Sequence, residues 1–282
     1  MPDSTRIWVH YLIYSHFWIA TSTVFLGWQS LSMAGLEPQW DPLALFLFAG
    51  TLTAYSLQRL VGFRQLSPER QDYIGTIRTW WPWLVILGAL LSLLAFDRLV
   101  PHARMIALAA GFLSIAYIFP IGPGRRIRDI PGLKIFLISL VWALTTSWLP
   151  LAQYQLDMDL PSLLGHLLPR ALFIFAITLP FDLRDLDADQ THRTLTLPLW
   201  LGWPLCRRLG WSALILAALM DIVMVLQDQV IPSAFAANLF VYGLAGWMIH
   251  QTNQERSEQF FSLWLDGLMF LPFLLTSLLS LI

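Results

Sequence analysis

The feature that most constrains this chain is a series of apolar stretches, each about twenty residues long, that follow one another from end to end. About twenty apolar residues are needed for an α-helix to cross the hydrocarbon core of a bilayer. The bilayer interior offers no water to unpaired backbone groups, so such stretches are stable there as helices. Only 12% of the residues are charged, against about 25% in an ordinary soluble domain. The sequence therefore predicts an all-α, polytopic membrane protein.

We expect about nine transmembrane helices in a single integral membrane domain that covers residues 1–282. The break between the seventh and eighth spans rests on Asp228, Gln229 and Pro232, which favour a turn. The expected spans are residues 8–28, 42–60, 80–97, 103–120, 133–151, 163–181, 209–227, 231–249 and 259–281.

The basic residues predict the orientation of these spans. Nine spans place fourteen of the seventeen Lys and Arg residues on the side of the N-terminus, and leave Arg98, Arg104 and Arg170 for the other side. Loops rich in Lys and Arg stay in the cytoplasm. We therefore expect the N-terminus in the cytoplasm and the C-terminus outside, in the inner (cytoplasmic) membrane of a bacterium.

An acidic segment follows the sixth span. Asp182, Asp185 and Asp189 stand at positions i, i+3 and i+7, so a continuous helix would place them on one face, whereas Asp187 falls off that face. Three crowded carboxylates repel one another unless a cation, an arginine or protonation offsets their charge. Mg²⁺, which prefers oxygen ligands and often bridges to phosphates, suits such a cluster. The plainer interpretation is a solvated acidic loop between two helices.

The polar groups gather at one membrane face, in loops that also carry arginines. Guanidinium groups bind phosphate oxygens through two parallel hydrogen bonds. A diphosphate could therefore be held, and ionised as a leaving group, at this face. A transporter would place polar groups near the middle of the membrane, so this distribution disfavours one.

Residues 181–202 resemble the second aspartate motif of the UbiA superfamily of intramembrane prenyltransferases. The three acidic positions match at Asp182, Asp185 and Asp189, the Thr-Leu-Pro signal at 196–198, and the Leu-Gly pair at 201–202. The resemblance implies a helical bundle around a central cavity with the aspartate motifs at its cytoplasmic mouth. It also implies transfer of an isoprenyl group from a polyprenyl diphosphate to an aromatic or other lipophilic acceptor.

For this chain, the resemblance implies that the three aspartates bind Mg²⁺ and act in catalysis. Tyr117 and the basic residues behind the fourth span also lie where the superfamily has a tyrosine and cations. The expected substrate contacts are Arg59, Tyr117, Arg126, Lys134 and Arg193. We expect the bilayer, the diphosphate and the acceptor as partners, and no nucleic acid.

The first aspartate motif of the superfamily is missing here. Its three positions fall on Tyr55, Arg59 and Phe63, and no Asp, Glu or Asn occurs between Asp41 and Glu69. Arg59 could replace a cation at the diphosphate, or pair with Asp182 or Asp185 and silence the site. Two alternatives therefore stay open: a prenyltransferase with a divergent site, or a catalytically degenerate member. The latter would bind an isoprenoid lipid, quinone or pigment, or serve as a membrane subunit of a larger complex.

Asp221 lies inside the seventh span, where an ionisable group is energetically expensive. We expect it to face the protein interior. Of two interpretations, a structural carboxylate held by hydrogen bonds is favoured over a functional one.

Overall fold

The computed structural model describes residues 3–63, 71, 74–119, 130, 132–186 and 196–281 of the 282-residue chain. Within these residues the regular structure is helical and no strand is present, which confirms the all-α class. The first half contains α1 (Asp3–Tyr14), α2 (Phe17–Met33), α3 (Pro42–Gly62), a 3₁₀ segment (Gly75–Trp80), α4 (Trp81–Phe96) and α5 (Pro101–Ile118). The second half contains α6 (Leu133–Ala143), a π segment (Leu144–Trp148), α7 (Leu149–Gln153), α8 (Leu160–Arg184), α9 (Leu197–Leu201), α10 (Trp203–Leu226), α11 (Pro232–Gln251), a second π segment (Phe260–Leu265) and α12 (Leu271–Leu279).

Seven helical stretches in the described residues are long and apolar enough to cross a membrane, and they correspond to the second to eighth expected spans. They also carry apolar side chains on their outer surfaces. Trp83, Leu93 and Phe112, all within such helices, are 72%, 66% and 66% exposed. Large apolar side chains exposed along a helix are stable against lipid rather than water. The chain is therefore an integral membrane protein.

The first and last expected spans are broken, so the predicted number of nine is approximate. At the first, α1 ends at Tyr14 and α2 begins at Phe17, because His16 adopts a left-handed conformation with φ of 65°. At the last, the π segment Phe260–Leu265 is followed by a separate helix that begins at Leu271. Both breaks lie inside stretches that are apolar overall, with Asp266 the one charged residue between the π segment and α12, so hydropathy did not locate them.

The chain divides into two compact units. Unit 1 comprises residues 1–24 and 39–99, and unit 2 comprises residues 25–38 and 100–282. The expectation of a single domain stays a prediction.

Unit 1 is built on the close packing of α3 against α4. Gly88 makes this approach possible, because a Cβ atom there would lie 2.5 Å from Thr53 Oγ1 and 3.0 Å from the carbonyl oxygen of Ala49. The indole of Trp81 is fully buried, and its Nε1 donates a hydrogen bond of 2.9 Å to the carbonyl of Tyr14. This bond fixes the end of α1 to the start of α4.

Unit 2 is organised around α8, the longest helix described, which packs against α6 and α10. Asp159 caps its first turn, since its side chain accepts a hydrogen bond of 3.0 Å from the backbone N–H of Ser162. Pro169 and Pro180 lie inside the helix. The far end of α8 carries the acidic segment predicted from the sequence.

Candidate functional site at the end of helix α8

Asp182 lies in the last turn of α8 and is almost completely buried, with 2% of its side chain exposed. Lys134, in the first turn of α6, donates a hydrogen bond from Nζ to Asp182 Oδ1 over 2.7 Å. A buried carboxylate needs such a partner, because desolvation of an unpaired charge is costly. Two residues predicted for separate roles, metal binding and phosphate binding, therefore form one ion pair.

The backbone around Lys134 is held by the segment that follows the acidic residues. Gly132 precedes α6 with φ of 73°, a left-handed conformation that glycine adopts readily. Leu197 packs 3.8 Å from the position of a Cβ on Gly132. Leu197 also belongs to a buried cluster with Ile135, Leu179 and Cys206. Leu197, the middle residue of the Thr-Leu-Pro signal, thus packs against the residues on either side of Lys134.

Asp185 is the C-cap of α8 and is paired with its neighbour Arg184. Arg184 Nε and Nη2 donate to the two carboxylate oxygens of Asp185 over 3.0 and 2.9 Å, and Arg184 Nη1 donates to Glu258 Oε1 over 3.0 Å. The guanidinium also stacks over the rings of Phe181 and Phe261, at 5.0 and 5.5 Å from their centres. A planar guanidinium suits this bidentate and stacked arrangement, whereas an ammonium does not.

Of the three aspartates predicted to share one helix face, the structure describes two, Asp182 and Asp185. Asp182 and Asp185 contact different cations, and α8 ends at Arg184. Asp189, Arg126 and Arg193, which are also predicted site residues, lie outside the described residues. Tyr117 lies at the end of α5 in unit 2. Of the predicted site residues, the structure brings Lys134 and Asp182 into direct contact.

The region of the missing first motif belongs to α3 in unit 1, where Arg59 lies in the last turn. Phe63 packs edge-on against Trp81, with ring centres 5.8 Å apart, so an aromatic residue fills one of the motif positions. A pairing of Arg59 with Asp182 or Asp185 would join the two units and stays a prediction.

His16 is a buried residue that the sequence analysis did not select as a candidate. It is 5% exposed, its Nδ1 lies 3.1 Å from Ser56 Oγ, and its ring packs against Tyr55 and Trp81. Its left-handed backbone is uncommon for residues other than glycine, although histidine, asparagine and aspartate adopt it more often than the rest. Ser56 lies one turn before Arg59, so this histidine adjoins the position of the missing motif.

Asp221 is completely buried in α10, as predicted. Its Oδ2 accepts hydrogen bonds of 3.0 Å from Asn238 Nδ2 and from the hydroxyl of Tyr242. Both donors come from α11. The expected hydrogen-bonded carboxylate is therefore present, although its partners could not be identified from the sequence.

The described residues contain no group of three or more His, Cys, Asp or Glu side chains that could hold a metal ion. Asp182 and Asp185 are both paired with basic side chains, and α3 supplies no carboxylate in place of the first motif. As described, these residues do not form a magnesium site. Asp189 lies outside the described part of the chain, so the predicted role of the three aspartates in Mg²⁺ binding stays a prediction.

Comparison with solved structures identifies the class of fold, which is that of the UbiA-type intramembrane proteins. A UbiA homolog from Archaeoglobus fulgidus bound to GPP and Mg²⁺ superimposes with a TM-score of 0.69 at 10% identity, over 97% of this chain and 100% of that chain. The apo structure of a UbiA homolog from Aeropyrum pernix K1 gives 0.69 at 12% identity, over 93% and 96%. A structure described as digeranylgeranylglyceryl phosphate synthase gives 0.61 at 12% identity, over 95% and 96%.

No protein family profile matches the sequence, and no curated protein matches it. At 10–12% identity the structural likeness shows a shared fold. The shared fold extends over nearly the whole chain.

Proposed function

We propose that this protein is an intramembrane prenyltransferase, which transfers an isoprenyl group from a polyprenyl diphosphate to an aromatic or other lipophilic acceptor. The observation that carries the proposal is the buried Lys134–Asp182 pair at the acidic end of α8, within a UbiA-type fold. The A. fulgidus homolog with this fold is bound to GPP in one structure and to DMAPP in another, both with Mg²⁺.

In the proposed reaction the bond between C1 of the prenyl chain and the diphosphate oxygen breaks, and the diphosphate leaves with the electron pair. A carbon or oxygen atom of the acceptor then bonds to C1 and loses a proton. Lys134 would stabilise the negative charge that develops on the leaving group. An ammonium group has three donors, so Lys134 can bind Asp182 and a phosphate oxygen together. Asp182 would fix the direction of the ammonium.

The other predicted contacts complete this proposal. We propose that Arg59, Tyr117, Arg126 and Arg193 contact the diphosphate or the chain, and that Asp185 and Asp189 contribute to the catalytic site with Asp182. Mg²⁺, if Asp189 completes a site for it, would supply further positive charge to the diphosphate. No step of the proposed reaction is assigned to the metal, because Asp182 and Asp185 are paired with basic side chains.

The experiment that tests the proposal measures turnover of radiolabelled geranyl, farnesyl and geranylgeranyl diphosphates by the purified chain in nanodiscs, with a panel of phenolic and lipid-alcohol acceptors. Product formation that falls at least tenfold in Lys134→Ala, and less in Lys134→Arg, supports the proposed role. Equal turnover in wild type and Lys134→Ala would remove Lys134 from the mechanism. Parallel reactions with Mg²⁺ and with EDTA determine whether the metal is needed.

One observation favours a second candidate function. Both described aspartates of the motif are paired with basic side chains of the protein itself, Lys134 and Arg184. A catalytically silent relative that binds an isoprenoid lipid, quinone or pigment would have such a closed site. It would show no turnover with any diphosphate, no calorimetric response to Mg²⁺, and a lipid that co-purifies with the protein.

We also propose that the acidic end of α8 faces the cytoplasm, together with the N-terminus. The support is the clustering of fourteen of the seventeen basic residues on that side. Alkaline phosphatase fused after the last residue should be active, because the C-terminus would be outside. An inactive fusion there, with active fusions inserted within residues 187–195, would reverse the orientation.

A further inference from the structure

A second group of buried polar residues lies inside unit 2, away from the acidic end of α8. Its members come from α2, α8, α10 and α11, and each is less than 8% exposed. Arg170 is twelve residues from Asp182 along α8, which corresponds to roughly 18 Å. We call this group the interior polar cluster, and it consists of Gln29, Ser30, His166, Arg170, Asp221, Asn238 and Tyr242.

One side of the cluster is a chain of hydrogen bonds that ends on a carboxylate. Gln29 Nε2 donates to Asn238 Oδ1 over 3.0 Å, and Asn238 Nδ2 donates to Asp221 Oδ2 over 3.0 Å. The hydroxyl of Tyr242 donates to the same oxygen of Asp221. Asn238 and Tyr242 therefore both bond to Oδ2, and Asp221 Oδ1 has no hydrogen-bond partner among the described residues.

The other side of the cluster carries the positive charge. Arg170 Nη2 donates to Ser30 Oγ over 3.2 Å, and Ser30 Oγ donates to the carbonyl of Thr146 over 2.7 Å. Arg170 Nη1 and both ring nitrogens of His166 are buried without a partner among the described residues, as is Gln29 Oε1. His166 and Arg170 stand four residues apart on α8 and so share one face.

Arg170 and Asp221 have opposite charges in this apolar interior, yet they make no direct contact. They interact electrostatically, but the described ion pairs do not join them. Arg170 Nη1 and Asp221 Oδ1 each lack a hydrogen-bond partner among the described residues, and an unpaired polar group buried in protein is costly. A group that accepts from Arg170 Nη1 and donates to Asp221 Oδ1 would satisfy both.

The backbone is irregular at the same place. Thr146, whose carbonyl the cluster uses, lies in the π segment Leu144–Trp148, and π segments occur often at functional sites. Pro169, next to Arg170, has no N–H to donate to the carbonyl of Gly165. Irregular backbone inside a membrane is tolerated where protein or a ligand satisfies it.

The chemistry of the cluster selects its ligand. It offers both donors and acceptors, and the charges of Arg170 and Asp221 cancel, so a phosphate or a metal ion would leave one charge uncompensated. A hydroxyl group both donates and accepts, carries no charge and can reach the site on a lipid-soluble molecule. We propose that the interior polar cluster binds the hydroxyl group of a neutral lipid, an isoprenoid alcohol or an alkylated phenol, between Arg170 Nη1 and Asp221 Oδ1.

The proposal does not depend on the proposed prenyltransferase activity and can be tested without turnover. The probes are farnesol, a 4-alkylphenol of similar length, and the methyl ether of each, which accepts a hydrogen bond but cannot donate one. We expect the hydroxyl compounds to bind the purified chain at least tenfold more tightly than their ethers. The farnesol and phenol arms identify which kind of molecule the site prefers.

Two variants test whether the hydroxyl compounds bind at the interior polar cluster. In Asp221→Asn the amide can donate where Asp221 Oδ1 accepted, so the preference for hydroxyl over ether should fall to less than threefold. Asp228→Asn, in the turn after α10, makes the same substitution outside the cluster and should keep the full preference.

A measurement on the wild-type chain guards against misfolding of Asp221→Asn. A diazirine-bearing farnesol should cross-link to peptides of α2, α8, α10 or α11 and be displaced by farnesol. Equal binding of alcohol and ether, or cross-links confined to other helices, would overturn the proposal and leave the cluster as a site for ordered water only.

Discussion

Lys134 Nζ lies 2.7 Å from Asp182 Oδ1, and this contact ties the start of α6 to the end of α8. The carboxylate is almost fully buried, whereas 21% of the lysine side chain remains exposed. The lysine is therefore partly accessible while its partner is not. The proposed function requires a phosphate to reach the lysine from its exposed side while Asp182 stays in place.

The first prediction concerns the energy of this pair. Asp182→Asn should lower the free energy of unfolding by about 1–3 kcal/mol, less than a fully buried pair would lose, because solvent screens the exposed part of Lys134. The double variant Asp182→Asn with Lys134→Met should recover part of the loss, because no ammonium is left without its carboxylate. Thermal unfolding in a mild detergent compares the wild type, Asp182→Asn, Lys134→Met and the double variant. Losses that simply add would contradict a direct pair.

The second prediction concerns the two parallel hydrogen bonds from Arg184 to Asp185. Arg184→Lys keeps the positive charge but loses the bidentate bond to Asp185, so it should lower the free energy of unfolding by about 1–2 kcal/mol. Arg256→Lys is the matched control, because Arg256 also stacks on a phenylalanine but is exposed and bonds to Gln251. An equal melting temperature for wild type and Arg184→Lys would show that the bidentate bond to Asp185 adds little stability.

The third prediction concerns the support of His16. Ser56→Ala removes the side chain that bonds to His16 Nδ1 and leaves a buried nitrogen without a partner. The expected loss is about 1–3 kcal/mol. Ser114→Ala, also within a helix, removes a hydroxyl that bonds only to its own helix at Ala110, and should cost less. A melting temperature for Ser56→Ala at or above that of Ser114→Ala would contradict the buried bond.

The fourth prediction concerns the contact between α3 and α4. Gly88→Ala places a methyl group 3.0 Å from a backbone carbonyl, so the helices must separate, and we expect a loss of about 1–3 kcal/mol. Gly111→Ala is the control, since its Cβ would meet nothing within 4 Å, and alanine favours a helix. Gly111→Ala should therefore be neutral or stabilising. A neutral Gly88→Ala would imply that the helices pack less tightly.

The sequence predicted the helical class and seven of the spans, because length and apolarity determine a membrane helix locally. It did not predict the break at His16 or the one between the π segment Phe260–Leu265 and α12, because the residues around both are mostly apolar and so predict continuous spans. Lys134 and Asp182 were both selected as site residues, but their contact spans 48 residues and left no local signal. The bond of Arg184 to Glu258, 74 residues apart, was equally hidden.

The helix α8 carries Asp182 near one end and Arg170 about three turns earlier. It therefore contributes residues both to the proposed diphosphate site and to the interior polar cluster. If binding at one of these sites shifted α8, the geometry of the other site would change as well. Thermodynamic linkage then requires equal and reciprocal effects on the two affinities. A hydroxylated lipid that raised the affinity for a prenyl diphosphate fivefold would itself be held five times more tightly once the diphosphate was bound. The membrane's own lipid composition would then set how readily this protein takes its substrate.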